Sequence, residues 1–158
     1  MKKHLTVAAI LGVALLLALK VAAHCEIPCG INDDQTRFKL LREHIDTIAK
    51  SIHEINHLSE NAKPDYNQLV RWVANKDTHA DEFQHIVSQY FMTQRVKPVP
   101  PEDPAYKDYI AKITVLHQML IGAMKTKQSA DPATAQKLKE LTSQFEKLYF
   151  PEAAKEKK

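Results

Sequence analysis

Glycine and cysteine are both scarce in this chain of 158 residues. Only Gly30 and Gly122 follow the first 20 residues, so little in the sequence interrupts a helix. No run of alternating β-branched residues predicts a strand. The two cysteines, Cys25 and Cys29, are four positions apart, which is too close to staple a domain. They therefore bind a metal, do redox work or close a small disulfide ring.

The first 23 residues have the layout of a secretory signal peptide. A basic start at 1–3 precedes an apolar run over 5–19, and the small residues at 21–23 suit cleavage by signal peptidase. The alternative is an uncleaved membrane anchor, although the run is shorter than the roughly 20 residues of a membrane span. We expect cleavage before His24, export to the periplasm or the exterior, and no membrane association after processing.

The charge balance of the remaining chain gives no indication of nucleic-acid binding. The signal segment holds three of the 22 basic residues, Lys2, Lys3 and Lys20, and none of the 19 acidic ones. Its removal leaves 19 of each sign, so the mature chain has no net charge apart from histidine. Without a basic patch or a nucleic-acid-binding motif, we expect no nucleic-acid partner.

Apolar residues at helical spacing predict four helices, and hence an all-α four-helix bundle over 34–151 with a charged tail over 152–158. The predicted helices cover 34–58, 65–93, a stretch from about 104 and a stretch from 131. Asp residues at the helix starts can cap them. The predicted inner faces include Leu41, Ile45, Ile48, Ile52 and Ile55 in the first helix, Leu69, Trp72, Val73, Ala80, Phe83, Val87, Tyr90 and Phe91 in the second, Tyr106, Tyr109, Ile110, Ile113, Leu116, Leu120 and Ala123 in the third, and Leu138, Leu141, Phe145 and Leu148 in the fourth.

Cleavage before His24 would create an extended N-terminal hook over residues 24–33 that is rich in metal donors. The new α-amine, the imidazole of His24 and the thiolates of Cys25 and Cys29 lie within six residues, and the amide nitrogen of Cys25 can join them. Pro28 and Gly30 suit the turn that brings the second thiolate back. A planar set of nitrogen and sulfur donors suits Ni(II) or Cu(II).

The motif His-Cys-x-x-Pro-Cys-Gly at a processed N-terminus resembles that of the nickel superoxide dismutases. The pair Tyr90-Phe91 and the helix start at Asp131-Pro132 resemble further parts of that family. The resemblance implies conversion of superoxide to oxygen and hydrogen peroxide by Ni(II)/Ni(III) cycling, one nickel ion per subunit, and a homohexamer. It also implies that His24, Cys25 and Cys29 are both the metal ligands and the catalytic residues.

Several positions differ from the family pattern. Asn32 stands where the family has a tyrosine, and Leu40 and Asn75 stand near its usual acidic and basic residues. Pro28, Gly30, Asn32 and Tyr90 are therefore candidates for the surroundings of the metal. The charges at 76–77 are expected in solvent. These differences leave an alternative function, an exported helical protein that binds nickel or copper without turnover.

The first helix also contains His53-Glu54-Ile55-Asn56-His57, which matches the HExxH pattern of zinc metalloproteases. No third ligand follows in an obvious motif. The buried face is already assigned to the neighbouring isoleucines. We therefore expect both histidines to lie beside that face, either exposed or at an interface.

Overall fold

The computed structural model describes residues 30–151, and within them it shows four helices and no strand. This confirms the predicted all-α bundle. The helices are α1 (Asp34–Ser59), α2 (Tyr66–His85), α3 (Tyr106–Gln128) and α4 (Pro132–Tyr149). A π-helical segment, Ile86–Arg95, continues α2 without a break.

Three of the helices start at an aspartate that caps them. Asp33, Asp65 and Asp131 stand at the starts of α1, α2 and α4, and each side chain accepts a hydrogen bond from a backbone N–H two or three residues further on. Such a bond satisfies one of the donors that a helix leaves free at its start. In α4 the next residue is Pro132, whose fixed φ suits the first helical position.

The four helices form an antiparallel ring. α1 packs against α2 and α4, and α3 packs against the same two helices. In α2 and α3 the residue numbers run in opposite directions, since Gln84 donates to the carbonyl of Leu120 while Lys76 donates to that of Thr126. The start of α1, the end of the π segment and the end of α4 therefore lie at one end of the bundle.

Aromatic side chains fill the core at that end. Phe38 of α1 is fully buried, and its ring centroid lies 4.9 Å from that of Phe91 and 5.5 Å from that of Phe145. Tyr149 and Phe150 complete the group around Phe38. Aromatic pairs at these distances add to the stability that burial of their area provides, so this end of the bundle is well packed.

The predicted inner face is confirmed in α1 and is wrong in parts of α2 and α3. All five α1 residues of the predicted stripe are buried, whereas Val73 is 39% exposed and Ile110 is 40% exposed. α3 ends opposite Lys76, so the first turns of α2 extend past it and leave Val73 uncovered. In α3 the inner face instead includes Gly122, where a Cβ would lie 3.1 Å from Leu138, so α4 approaches closely there.

Lys76 does not face solvent, which corrects the expectation for this charge. Its side chain is buried, and its Nζ donates to the carbonyls of Thr126 and Lys127 and to Asp77. These carbonyls belong to the last turn of α3, whose acceptors have no partner within the helix. An ammonium group also interacts favourably with the negative end of the helix dipole. Lys76 therefore caps the C-terminal end of α3.

The predicted helix over 65–93 becomes π-helical from Ile86, and this π segment continues to Arg95, two residues past the predicted end. Over 86–95 the hydrogen bonds skip one residue further than in an α-helix, as in the bond from the N–H of Val96 to the carbonyl of Phe91. Two side chains repeat the same spacing, since Thr93 donates to the carbonyl of Ser88 and Gln94 to that of Gln89.

Within residues 30–151 no helix is long and apolar enough to cross a membrane.

Candidate metal centre and the adjoining end of the bundle

The donors of the predicted hook, His24, Cys25 and Cys29, lie outside the described residues, as does Pro28. Gly30 is the first described residue, and its φ of +77° falls in the left-handed region that other residues rarely adopt. A Cβ at Gly30 would meet no atom within 4 Å. The backbone conformation, rather than lack of space, therefore favours glycine directly after Cys29.

Asn32, Leu40 and Asn75 differ from the family pattern, and these uncharged side chains do not replace its acidic and basic residues. Asn32 is exposed, and Leu40 is partly buried and packs against the core. Asn75 lies in the contact between α1 and α2, where its Nδ2 donates to Oγ of Ser51 at 3.0 Å. The neighbouring charge, Lys76, binds the last carbonyls of α3.

Among the predicted site residues that the structure describes, Tyr90 lies in the core of the bundle. Its ring is 4% exposed, and its hydroxyl donates to Oδ1 of Asp34 at 2.6 Å. The guanidinium of Arg37 lies over the same ring, 5.0 Å from the centroid. Asp34 is the first residue of α1, directly after the predicted hook. Tyr90 therefore binds the first residue of α1.

Asp34 is the centre of a group of four side chains, here called the Asp34 cluster: Asp34, Tyr90, Arg95 and Tyr149. Arg95 donates through Nε to one oxygen of Asp34 and through Nη2 to the other, both at 2.7 Å. Tyr149 donates its hydroxyl to Oδ2 at 2.9 Å. With the bond from Tyr90, the carboxylate accepts four hydrogen bonds. A bidentate arginine pair also fixes the relative orientation of its partners.

The electrostatics of the Asp34 cluster favour a charged carboxylate and neutral phenols. The hydrogen bond from Arg95 is the main reason that the pKa of Asp34 falls to about 2, and the two phenols add to it against the opposing effect of burial. Burial, and then the bond to Asp34, raises the pKa of Tyr149 to about 12 and raises that of Tyr90 further. Both phenols therefore stay protonated at neutral pH and donate hydrogen bonds to the Asp34 carboxylate.

The π segment explains how Tyr90 and Arg95 both reach Asp34. In an α-helix, residues five apart point about 140° away from each other around the axis. In a π-helix the hydrogen bonds join residues five apart, so those residues lie one above the other on the same face. Tyr90 and Arg95 are five apart within this segment. The π geometry thus places a phenol and a guanidinium on one side of the helix.

Sequence reasoning missed three members of this cluster: Asp34, Arg95 and Tyr149. The sequence predicts no more than a capping role for aspartates at helix starts, and the pattern around Tyr90 predicts an ordinary helix. The spacing of Tyr90 and Arg95 would have signalled the cluster only if the π turn had been known. Asp34 lies 61 residues from Arg95 and 115 from Tyr149. No local pattern links such distant positions.

Histidines form two pairs on the bundle. His53 and His57 of the HExxH pattern are both exposed, with parallel rings 6.5 Å apart, beside the buried isoleucines as expected. His44 and His79 join α1 to α2 through Nδ1 atoms 2.9 Å apart. Among residues 30–151 no group of three or more histidine, cysteine or acidic side chains could hold a metal ion.

Comparison with known proteins adds independent information. The family model described as nickel-containing superoxide dismutase matches residues 19–153. The protein named superoxide dismutase [Ni] from Streptomyces seoulensis is 28% identical over 137 residues, which cover 84% of this chain and 89% of that protein. The protein of the same name from Streptomyces coelicolor is 28% identical over 140 residues, covering 82% and 88%. No solved structure gives a significant match.

The described residues form an all-α bundle, and the matching family consists of nickel-containing enzymes. Because the family model matches most of its length, the chain belongs to the nickel-containing superoxide dismutase family. This membership confirms the predicted class of enzyme, its superoxide substrate and its nickel cofactor.

Proposed function

We propose that the mature chain begins at His24 and binds one nickel ion per subunit through residues 24–29. The donors are the α-amine and imidazole of His24, the amide nitrogen and thiolate of Cys25, and the thiolate of Cys29. Nitrogen and thiolate donors in a square-planar set suit Ni(II). The range matched by the family model includes the whole segment, which supports this assignment.

The bound metal supplies a one-electron couple, so that two superoxide ions and two protons give one oxygen and one hydrogen peroxide. The residues of the chain would bind the metal and stabilise both of its oxidation states. Cys25 and Cys29 bind as thiolates, whose electron donation stabilises a higher oxidation state. His24 would offer its imidazole nitrogen as a further donor. Gly30, with its positive φ, lets the chain turn directly after Cys29.

The contacts of Tyr90 argue against it as a source of the reaction's protons. Its hydroxyl already donates to Asp34, and burial together with that bond raises its pKa. A proton donor works best when its pKa lies near the operating pH. Tyr90 instead orients Asp34, and solvent water or a ligand thiol remains the better candidate for proton supply.

The single step that creates this site is cleavage between Ala23 and His24 by signal peptidase. Export to the periplasm or the exterior is part of the same proposal, since the segment 1–23 has the form of a secretory signal. Any residue left before His24 would occupy the α-amine as a peptide bond. The amine donor would then be absent and the proposed donor set could not form.

Assembly into a homohexamer is also proposed, from the family resemblance. The exposed apolar face on the first turns of α2 supports a contact between subunits. Tyr66, Val70 and Val73 are 70%, 66% and 39% exposed, and their spacing places them on one side of the helix. Contiguous apolar surface of this kind is typical of interaction sites. The number of subunits can be measured by light scattering.

The test of the hook combines three measurements on the purified mature protein: the N-terminal mass, the nickel content and superoxide dismutation. His24→Ala is expected to keep Ni(II) but lose turnover, because the imidazole would be the additional donor that Ni(III) needs. Full activity in His24→Ala would refute this role of the imidazole. Bound nickel without turnover in the wild-type protein would favour the alternative, a metal-binding protein that is not an enzyme.

A further inference from the structure

Two side-chain hydrogen bonds join α1 to α2 within residues 30–151. Nδ2 of Asn75 donates to Oγ of Ser51, and Nδ1 of His44 lies 2.9 Å from Nδ1 of His79. Amide and hydroxyl groups do not titrate near neutral pH, so the first bond is independent of pH. Both partners in the second bond are histidines, whose charge changes between about pH 5 and 8. This second bond therefore depends on how many protons the pair holds.

The two imidazole rings point at each other rather than at a common third atom. A ring nitrogen lies roughly 1.2 Å from its centroid, so nitrogens 2.9 Å apart and in line with both centroids would put the centroids about 5.3 Å apart. The observed centroid separation of 5.2 Å is close to this maximum. Two ligands of one metal ion would instead converge on the ion, which brings the centroids closer at the same nitrogen separation. The geometry thus fits a hydrogen bond with one proton between the nitrogens.

This hydrogen bond can survive the first protonation of the pair but not the second. With both rings neutral, one Nδ1 carries a hydrogen and donates it, and the other Nδ1 accepts. An added proton can bind Nε2 of the donor ring, which leaves the bond intact and makes it charge-assisted. A further proton has to bind the accepting Nδ1 itself. Both nitrogens would then carry hydrogen, and two positive rings would face each other without an acceptor.

The surroundings of the pair oppose that second proton. Both side chains are half-buried, so water hydrates a second charge only in part. Within residues 30–151, the charged groups that act on His44 are His79 itself and the carboxylates of Glu82 on α2 and Glu43 on α1. Burial, and then His79, lower the pKa of His44, and the two carboxylates oppose this only in part. Interacting groups of this kind take up their protons in two separate steps.

We infer that His44 and His79 form an acid-sensitive switch between α1 and α2, in which one shared proton joins the two helices and uptake of a second proton by the pair breaks the bond. The broken form, with both rings in solvent, holds one proton more than the bonded form below about pH 6.5, the ordinary pKa of histidine. Its population relative to the bonded form rises about tenfold for each pH unit below that value, until the bonded pair is itself protonated. The apolar faces of the helices remain packed, so the contact loosens without unfolding the bundle.

Nitrogen NMR of the histidine side chains in the mature protein, loaded with Ni(II), observes this bond directly. At pH 7 the Nδ1 nuclei of His44 and His79 should show a coupling across the hydrogen bond. As the pH falls, the first protonation of the pair should leave this coupling in place, and the second should abolish it. His53 and His57 are the control in the same protein, since their exposed rings are 6.5 Å apart on α1. They should show no coupling at any pH.

Urea unfolding tests whether the bond acts on the stability of the fold. His79→Phe keeps a planar ring and removes both nitrogens, and His57→Phe makes the same change at an exposed histidine of α1. Between pH 6.5 and pH 5.5 the unfolding equilibrium constant should rise several-fold more in the wild type than in His79→Phe, because the second charge is absent from the variant. His57→Phe should follow the wild type.

The inference is overturned if the coupling is absent at pH 7 or disappears in the first protonation step. Equal pH dependence of unfolding in the wild type and His79→Phe would overturn it as well. If His79→Phe does not fold, His79→Gln offers Nδ1 of His44 an amide donor without a second charge. Its unfolding should then depend on pH less than that of the wild type, and an equal dependence would again refute the switch.

Discussion

Lys76→Met tests whether the buried lysine closes the end of α3. Methionine has a similar length and fits an apolar surrounding, so the change removes the ammonium group without a large cavity. Lys76 is 2% exposed, and its Nζ donates at 2.5 Å to the carbonyl of Thr126 and at 2.9 Å to that of Lys127. Methionine leaves both carbonyls without this donor. It also removes the partner of Asp77.

The expected loss follows from these contacts. Leaving a buried acceptor without a hydrogen bond lowers stability by about 1–3 kcal/mol. Two carbonyls are affected, and part of the loss is regained because the buried ammonium no longer has to be kept from water. The net decrease in the free energy of unfolding is therefore about 2–4 kcal/mol. For a chain of this size that lowers the melting temperature by about 4–16 °C.

Urea denaturation followed by circular dichroism measures this difference, at one protein concentration and one nickel loading for all variants. Lys127→Met is the control, because Lys127 pairs with Asp81 through side chains that are 33% and 61% exposed. Such a surface pair contributes less than about 1 kcal/mol. If Lys76→Met is no less stable than Lys127→Met, the role assigned to Lys76 is wrong.

Two further predictions concern pH. The pKa of Asp34 is lowered to about 2 from 3.8, so its bonds stabilise the fold by about 2 kcal/mol above pH 4, and this contribution is lost as the pH falls towards 2. The difference in unfolding free energy between the wild type and Asp34→Asn should therefore shrink between pH 4 and pH 2. A difference that stays constant over this range would contradict the prediction. Burial, and then the neighbouring His79, lowers the pKa of His44 from 6.5 against the opposing carboxylates of Glu82 and Glu43. As the pH falls, His44 is protonated at a higher pH in the unfolded chain than in the folded one, so stability should fall below about pH 6.5. The fall should be less steep in His44→Gln than in the wild type or in a control variant of the exposed His117.

Local sequence was sufficient for most of the fold. The capping side chains of Asp33, Asp65 and Asp131 act on backbone groups two or three residues away. These three helix starts are therefore encoded by neighbours in the chain, whereas α3 begins at Tyr106 without a side-chain cap. The periodicity of α1 also gave the correct buried face, because α1 is covered by α2 and α4 over much of its length. In α2 the same reasoning was wrong at Val73, where no helix covers the predicted face.

The proposed metal site is the most local feature of all. Its donors, from His24 to Cys29, occupy six consecutive residues, so their types and spacing could be read without any knowledge of the fold. The match to the family over 19–153 agrees with the function inferred from them.

Only the tertiary structure decided which partners the charged side chains of Lys76 and Asp34 have, because those partners are far away in the sequence. Charge by itself predicts solvent for a lysine, and Lys76 is buried because the end of α3 returns to meet it. Asp34 gains its partners because the bundle brings the π segment and α4 to the start of α1. Helix starts and a metal hook depend on neighbouring residues, whereas the Asp34 cluster depends on residues 56 to 115 positions apart that only packing brings together.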